Sequence, residues 1–209
     1  LKSLHREKRH DFEESFSLRI HRGLSWIQKA ETEKNDHDAS FVFLWIAFNS
    51  IYASPGDETR PARSIFTSFF EKILSLDEEK KIYNLIWNRF SQEIRSLLNN
   101  KYIFQPFWEH TTQESNPEWE SAFEKSKQRV IIALENQETT EILSILIDRL
   151  YVLRNQIMHG ASTWQGKVNR QQVVDGDRFM KSLIPSLMEI MLVSKGSDWG
   201  ESYYPVQPP

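Results

Sequence analysis

The sequence contains no cysteine. That excludes disulfides, thiolate metal sites and a cysteine nucleophile together. It suits a reducing compartment, so a cytoplasmic location is expected. Glycine and proline are scarce, 7 and 8 among 209 residues, too few for the many tight turns of a β-sandwich. No apolar run approaches the roughly 18 residues of a membrane span. The longest, residues 41–48, has the length of a buried helical segment and predicts no membrane association. Neither sign of charge dominates: 26 Lys and Arg stand against 29 Asp and Glu, a net of −3, so no overall basic field draws in nucleic acid. A Gly-rich phosphate loop, a His-Glu-x-x-His pair, facing carboxylate pairs, a serine nucleophile elbow and an internal repeat are all missing, and no metal or cofactor is expected. Beginning at Leu1 rather than Met, the chain carries no information about a leader.

What is present is helical periodicity. Phe12, Phe16, Ile20, Leu24 and Ile27 recur at helix spacing and predict a first helix over 11–33. Asp38 is expected to cap a second, 39–53, apolar nearly all round and therefore central. A turn at Ser54-Pro55-Gly56-Asp57 leads to a third helix from Pro61 to 76, and Asp77 opens a fourth reaching 98. Residues 101–117 read as one long ordered loop, a lid or partner surface, with Phe104, Phe107 and Trp108 among polar neighbours. Further helices are expected from Pro117 to 136, over 139–159, and over 171–193, the last interrupted at Gly176 and bent at Pro185. His5 and His10 lie in a charged segment expected to fray. The expected architecture is all-α: an up-and-down bundle of about seven helices forming one domain over 1–194, with an extended tail over 195–209.

The sixth helix carries two stripes. Leu143, Leu146, Leu150, Leu153 and Ile157 should face the core, while Asp148, Val152, Asn155 and His159 fall on another side. A polar stripe with apolar members suggests contact with another helix or another subunit. Gly160 supplies a left-handed cap, which puts His159 in the last turn. Six cations between 149 and 181 (Arg149, Arg154, Lys167, Arg170, Arg178, Lys181) outnumber Asp175 and Asp177. An imidazole can give or take a proton near neutral pH, a guanidinium can grip phosphate oxygens in two places, and an amide can orient either. Such a set suits cleavage of a phosphodiester by its own 2′-hydroxyl, which needs no metal. The same residues have an ordinary role open to them: Arg and His near a helix C-terminus satisfy terminal carbonyls and the dipole.

Residues 153–160, Leu-Arg-Asn-Gln-Ile-Met-His-Gly, closely resemble the signature of HEPN (higher eukaryotes and prokaryotes nucleotide-binding) domains. That signature is Arg, a polar residue, and His after a gap of four to six residues. Residues 43–49 of the second helix (FLWIAFN) also look like stand-alone HEPN proteins. The resemblance implies a HEPN-like bundle that pairs as a homodimer, here through the Asp148, Val152, Asn155 and His159 stripe. It further implies a metal-independent endoribonuclease with Arg154 and His159 catalytic and Asn155 in support. Members serve in toxin–antitoxin, anti-phage or stress systems, with a cognate antitoxin as partner. Others are non-catalytic modules that bind a nucleotide, RNA or a protein. One toxin branch carries a modifiable Tyr two residues after the His, where this chain has Ala161.

Other features carry less. Asp36-His37-Asp38 could be a metal fragment but reads better as a capping turn. Trp108, Trp119 and Trp164 could stack on unpaired bases. Trp164, Lys167 and Arg170 follow the motif most closely and are the expected substrate-binding residues.

Overall fold

The computed structural model describes residues 1–55, 59, 61–113, 118–194, 197–202 and 204. Among these there is no strand, and ten α-helices form the fold. They are α1 (Lys2–Lys8), α2 (Glu14–Thr32), α3 (His37–Tyr52), α4 (Ala62–Leu76), α5 (Lys81–Asn84), α6 (Ser91–Leu98), α7 (Gln105–Gln113), α8 (Trp119–Glu135), α9 (Thr139–Met158) and α10 (Arg170–Val193). The expected all-α class therefore holds, with more and shorter pieces than seven.

The extra pieces have local causes. The helix expected from 77 to 98 is broken by a π-turn at Leu85–Arg89, in which the Phe90 N–H reaches back five residues to Leu85 O at 3.0 Å. The carboxylate of Asp77 does cap its start, accepting from the N–H groups of Lys81 and Ile82 at 2.9 and 2.8 Å. Residues 101–113 are not a loop. They form a 3-10 turn, Lys101–Ile103, followed by α7. Aromatic edges tie this piece to α8: Phe104 meets Phe123 at 5.2 Å and Phe107 meets Trp119 at 5.0 Å. The N-terminal segment is not frayed either, because His5 is buried and its ring lies 3.1 Å from the Ser17 hydroxyl.

α3 lies at the centre, as its all-round apolarity predicts. Phe41, Leu44, Trp45, Phe48 and Ile51 are all buried, and α2 and α10 pack along it. α9 is the second central helix, in contact with α3, α4, α6 and α8. The cap of α3 is Asp36 rather than the expected Asp38: the Asp36 carboxylate accepts the Ala39 N–H at 3.0 Å. α10 runs unbroken through both Gly176 and Pro185. Gly176 is there for packing, since a Cβ would stand 3.0 Å from Leu150 Cδ2 and 3.2 Å from Phe41 Cε2.

Of the tail, residues 197–202 fold back onto α2. Buried Arg19 donates to Ile51 O (2.9 Å), Ala53 O (3.0 Å) and Glu201 O (2.6 Å), and Trp199 stacks on Phe16 at 6.4 Å. Gly56 and Asp57 of the expected turn, Pro117, Tyr203, Pro205, Pro208 and Pro209 lie outside the described residues. No helix among the described residues is long and apolar enough to cross a membrane.

Candidate functional site at the end of α9

α9 ends as its sequence predicts. Gly160 adopts φ +71, and the backbone closes the helix with three bonds. His159 N–H donates to Asn155 O (2.9 Å), Gly160 N–H to Ile157 O (3.2 Å) and Ala161 N–H to Gln156 O (2.8 Å). The last two are the 5→2 and 6→1 bonds of a Schellman motif. The carbonyls of Asn155, Gln156 and Ile157 are thus satisfied by the main chain.

That leaves the side chains of the motif for other work. Arg154 Nη1 donates to Asn155 Oδ1 at 2.9 Å, and its buried Nε has no partner among the described residues. His159 is exposed, and its ring makes no hydrogen bond among the described residues. Gln156, to which the sequence reading gave no role, bridges three elements. Its Nε2 donates to Tyr102 O (2.6 Å) and its Oε1 accepts from Asn169 Nδ2 (3.0 Å). The Trp108 indole N–H donates to the same Tyr102 carbonyl at 2.8 Å. The 3-10 turn, α7 and the loop after α9 are fastened together at the motif.

Between them lies a cavity of about 530 Å³, lined among others by Tyr102, Trp108, Val152, Asn155, Lys167 and Val168. A second one, about 490 Å³, lies further along α9 and is lined by Arg63, Phe104, Asp148, Arg149 and Tyr151. Gln105, Val152 and Asn155 border both. In the second, the cations are already engaged. Arg149 is 4% exposed, with its guanidinium 4.3 Å from the Phe104 ring and 5.6 Å from that of Phe123, and it donates to Ser126 Oγ at 2.8 Å. Burial pulls the Arg149 guanidinium down to about 10 despite the favourable neighbour Asp148. Arg63 pairs with Glu141 at 3.1 Å and Asp148 at 3.4 Å. Burial pushes the Asp148 carboxyl up to about 6, against the opposing pull of Arg63 and Arg149.

The expected substrate-binding residues separate. Lys167 lines the first cavity and has no carboxylate partner among the described residues. Trp164, although 66% exposed, turns its indole N–H to Asp36 Oδ2 at 2.8 Å. Arg170 pairs with the buried carboxylate of Asp38. Both are thereby drawn to the N-terminus of α3. Asp36-His37-Asp38 is no metal fragment: its three side chains go to Trp164, to Asp177 (His37 Nδ1 at 2.6 Å from Oδ2) and to Arg170. Among the described residues no three acidic, His or Cys side chains group as metal ligands would.

No family model, curated protein or solved structure matches this chain.

The stripe expected to face a second subunit is divided. Val152 is buried and Asp148 is paired with Arg63, so its first half is engaged within the chain. Its far end is open, with His159 exposed beside Met158, which is 50% exposed. Sequence reasoning named Trp108 as a residue that could stack on a base but missed Tyr102 and Gln105 beside it, because a segment without periodicity reads as a loop. The one available signal was the aromatic content of a polar stretch.

Proposed function

We infer that this chain is a metal-independent endoribonuclease of HEPN type that acts as a homodimer. The observation that carries this reading is the closure of α9. Because backbone N–H groups satisfy the Asn155, Gln156 and Ile157 carbonyls, Arg154 and His159 are not needed to cap those three. One is instead hydrogen-bonded to Asn155, and the other stands open to solvent.

In the proposed reaction His159 takes the proton of a ribose 2′-hydroxyl. The 2′-oxygen attacks the adjacent phosphorus, and the bond from phosphorus to the 5′-oxygen breaks. The leaving oxygen takes a proton from the His159 of the second copy, giving a 2′,3′-cyclic phosphate and a 5′-hydroxyl. Arg154 stabilises the negative charge that builds on the phosphate oxygens, and Asn155 holds the Arg154 guanidinium in place. A toxin–antitoxin, anti-phage or stress role, with an antitoxin as protein partner, goes with this reading through the HEPN resemblance alone. The second reading is a non-catalytic module that binds a nucleotide, RNA or a protein. The cavity beside Asn155 favours it, since binding needs no open histidine.

Incubating labelled RNA in EDTA with wild type, Arg154→Ala and His159→Ala separates the two. Wild type alone is expected to cut, with His159→Ala slower by at least about 10²-fold. Its melting temperature is expected to stay unchanged, because the side chain is exposed and makes no hydrogen bond among the described residues. Undiminished cleavage by His159→Ala would overturn the assignment.

A further inference from the structure

The cavity next to the motif has a composition that the cleavage chemistry does not explain. It is lined by aromatic residues (Tyr102, Trp108), aliphatic ones (Val152, Val168), one cation (Lys167) and no carboxylate. Its walls are held in place: the Gln156 amide links Tyr102 O to Asn169, and Trp108 bonds the same carbonyl. Tyr102 as a whole is 46% exposed. Asn155 is oriented by Arg154, whose guanidinium occupies its Oδ1. Its Nδ2 makes no hydrogen bond among the described residues, and the residue borders the cavity. At about 530 Å³ the space falls within the roughly 300–1,000 Å³ of small-molecule sites.

Rings to stack on, a free amide donor and a single cation match an unpaired base and its phosphate. An apolar ligand would leave the Asn155 donor and the Lys167 ammonium without partners. The neighbouring cavity is a poorer match, because Arg63 and Arg149 are tied to Asp148, Glu141, Ser126 and the Phe rings.

We propose that the cavity between Tyr102, Trp108 and residues 161–169 receives one unpaired nucleobase of a ribonucleotide, with its phosphate on Lys167. The base contacts Tyr102 and accepts a hydrogen bond from Asn155. Gln156 is a positioning residue that ties the walls to one another. The proposal rests on the ribonuclease reading only in placing the cut next to this base; the pocket itself does not depend on cleavage. The same chemistry has two sources, a free nucleotide and a single-stranded RNA.

The test is calorimetric titration of the His159→Ala protein with the four nucleoside 5′-monophosphates and with four-nucleotide RNAs, one of each base composition. One-to-one binding with a base preference is expected. Tyr102→Ala is expected to weaken it by about tenfold or more, the scale of one lost base stack, while Tyr102→Phe retains it. Ala161→Trp, which fills the cavity from an exposed position, is expected to abolish binding. Equal affinity for monophosphate and tetranucleotide identifies a free nucleotide as ligand; tighter tetranucleotide binding with the same base preference identifies RNA. Either supports the pocket, even if wild type cuts nothing. No binding of either probe, or binding unchanged in both Tyr102→Ala and Ala161→Trp, overturns the proposal, even if wild type cleaves RNA.

Discussion

Asp148 sits midway along α9 with Arg63 at 3.4 Å and Arg149 next to it in the chain. Two cations should lower a carboxyl, yet burial outweighs them and holds it at about 6. Linkage then fixes a sign. Between the unfolded value, about 4, and about 6, the folded chain binds the extra proton, so this group's contribution to stability falls as pH rises through that window. Above it, the cost of the buried charge is fully present. Asp148→Asn removes the dependence. The melting temperature of the variant minus that of wild type is therefore expected to increase from roughly pH 4 to pH 6.5. Parallel curves would show that the carboxyl titrates normally. Arg149 remains a cation at neutral pH, and its guanidinium lies over the paired Phe104 and Phe123 rings, a contact that a flat guanidinium makes better than a lysine ammonium.

At the scale of elements, the end of α9 and the segment 101–113 are the decisive pieces. The helix end was legible, because Gly after an Arg-Asn-Gln-Ile-Met-His run is the expected left-handed cap, and Gly160 takes that conformation. A Cβ there would meet nothing within 4 Å, so Gly160→Ala tests the backbone alone. It is expected to lower stability by about 1–2 kcal/mol in urea titration. If the Schellman closure is what holds residues 161–169, it should also weaken nucleotide binding. Unchanged stability would mean that another closure serves equally well. Segment 101–113 was illegible for a physical reason: its order comes from Phe104 on Phe123, Phe107 on Trp119 and Gln156 on Tyr102. Those are contacts with α8 and α9, not a repeat within itself. The same cause hid the π-turn at Leu85–Arg89, where an apolar pattern continues while the hydrogen bonding slips by one residue.

For the whole molecule the proposed mechanism requires two copies, since a single chain offers one His159. The open end of the stripe carries exposed Met158, with Trp164 and Val168 also exposed on the following loop. Sedimentation velocity is expected to give a particle of twice the chain mass at micromolar concentration. Met158→Asp, at half-exposed Met158, is expected to shift it to monomer and to slow RNA cleavage in parallel. A monomer at every concentration in wild type would remove the two-histidine mechanism, while leaving base binding to be judged by its own titration.

Two kinds of information divide cleanly here. Periodicity by itself determined the all-helical class, the central place of α3 and the position of His159 at a glycine-capped helix end, because those follow from spacing along one helix. Only the tertiary structure decided that Trp164 and Arg170 turn to Asp36 and Asp38 while Lys167 lines a cavity. It also decided that Gln156 fastens that cavity's walls. These partners lie 13 to 132 residues apart in the chain, and no local pattern encodes a contact made at that separation.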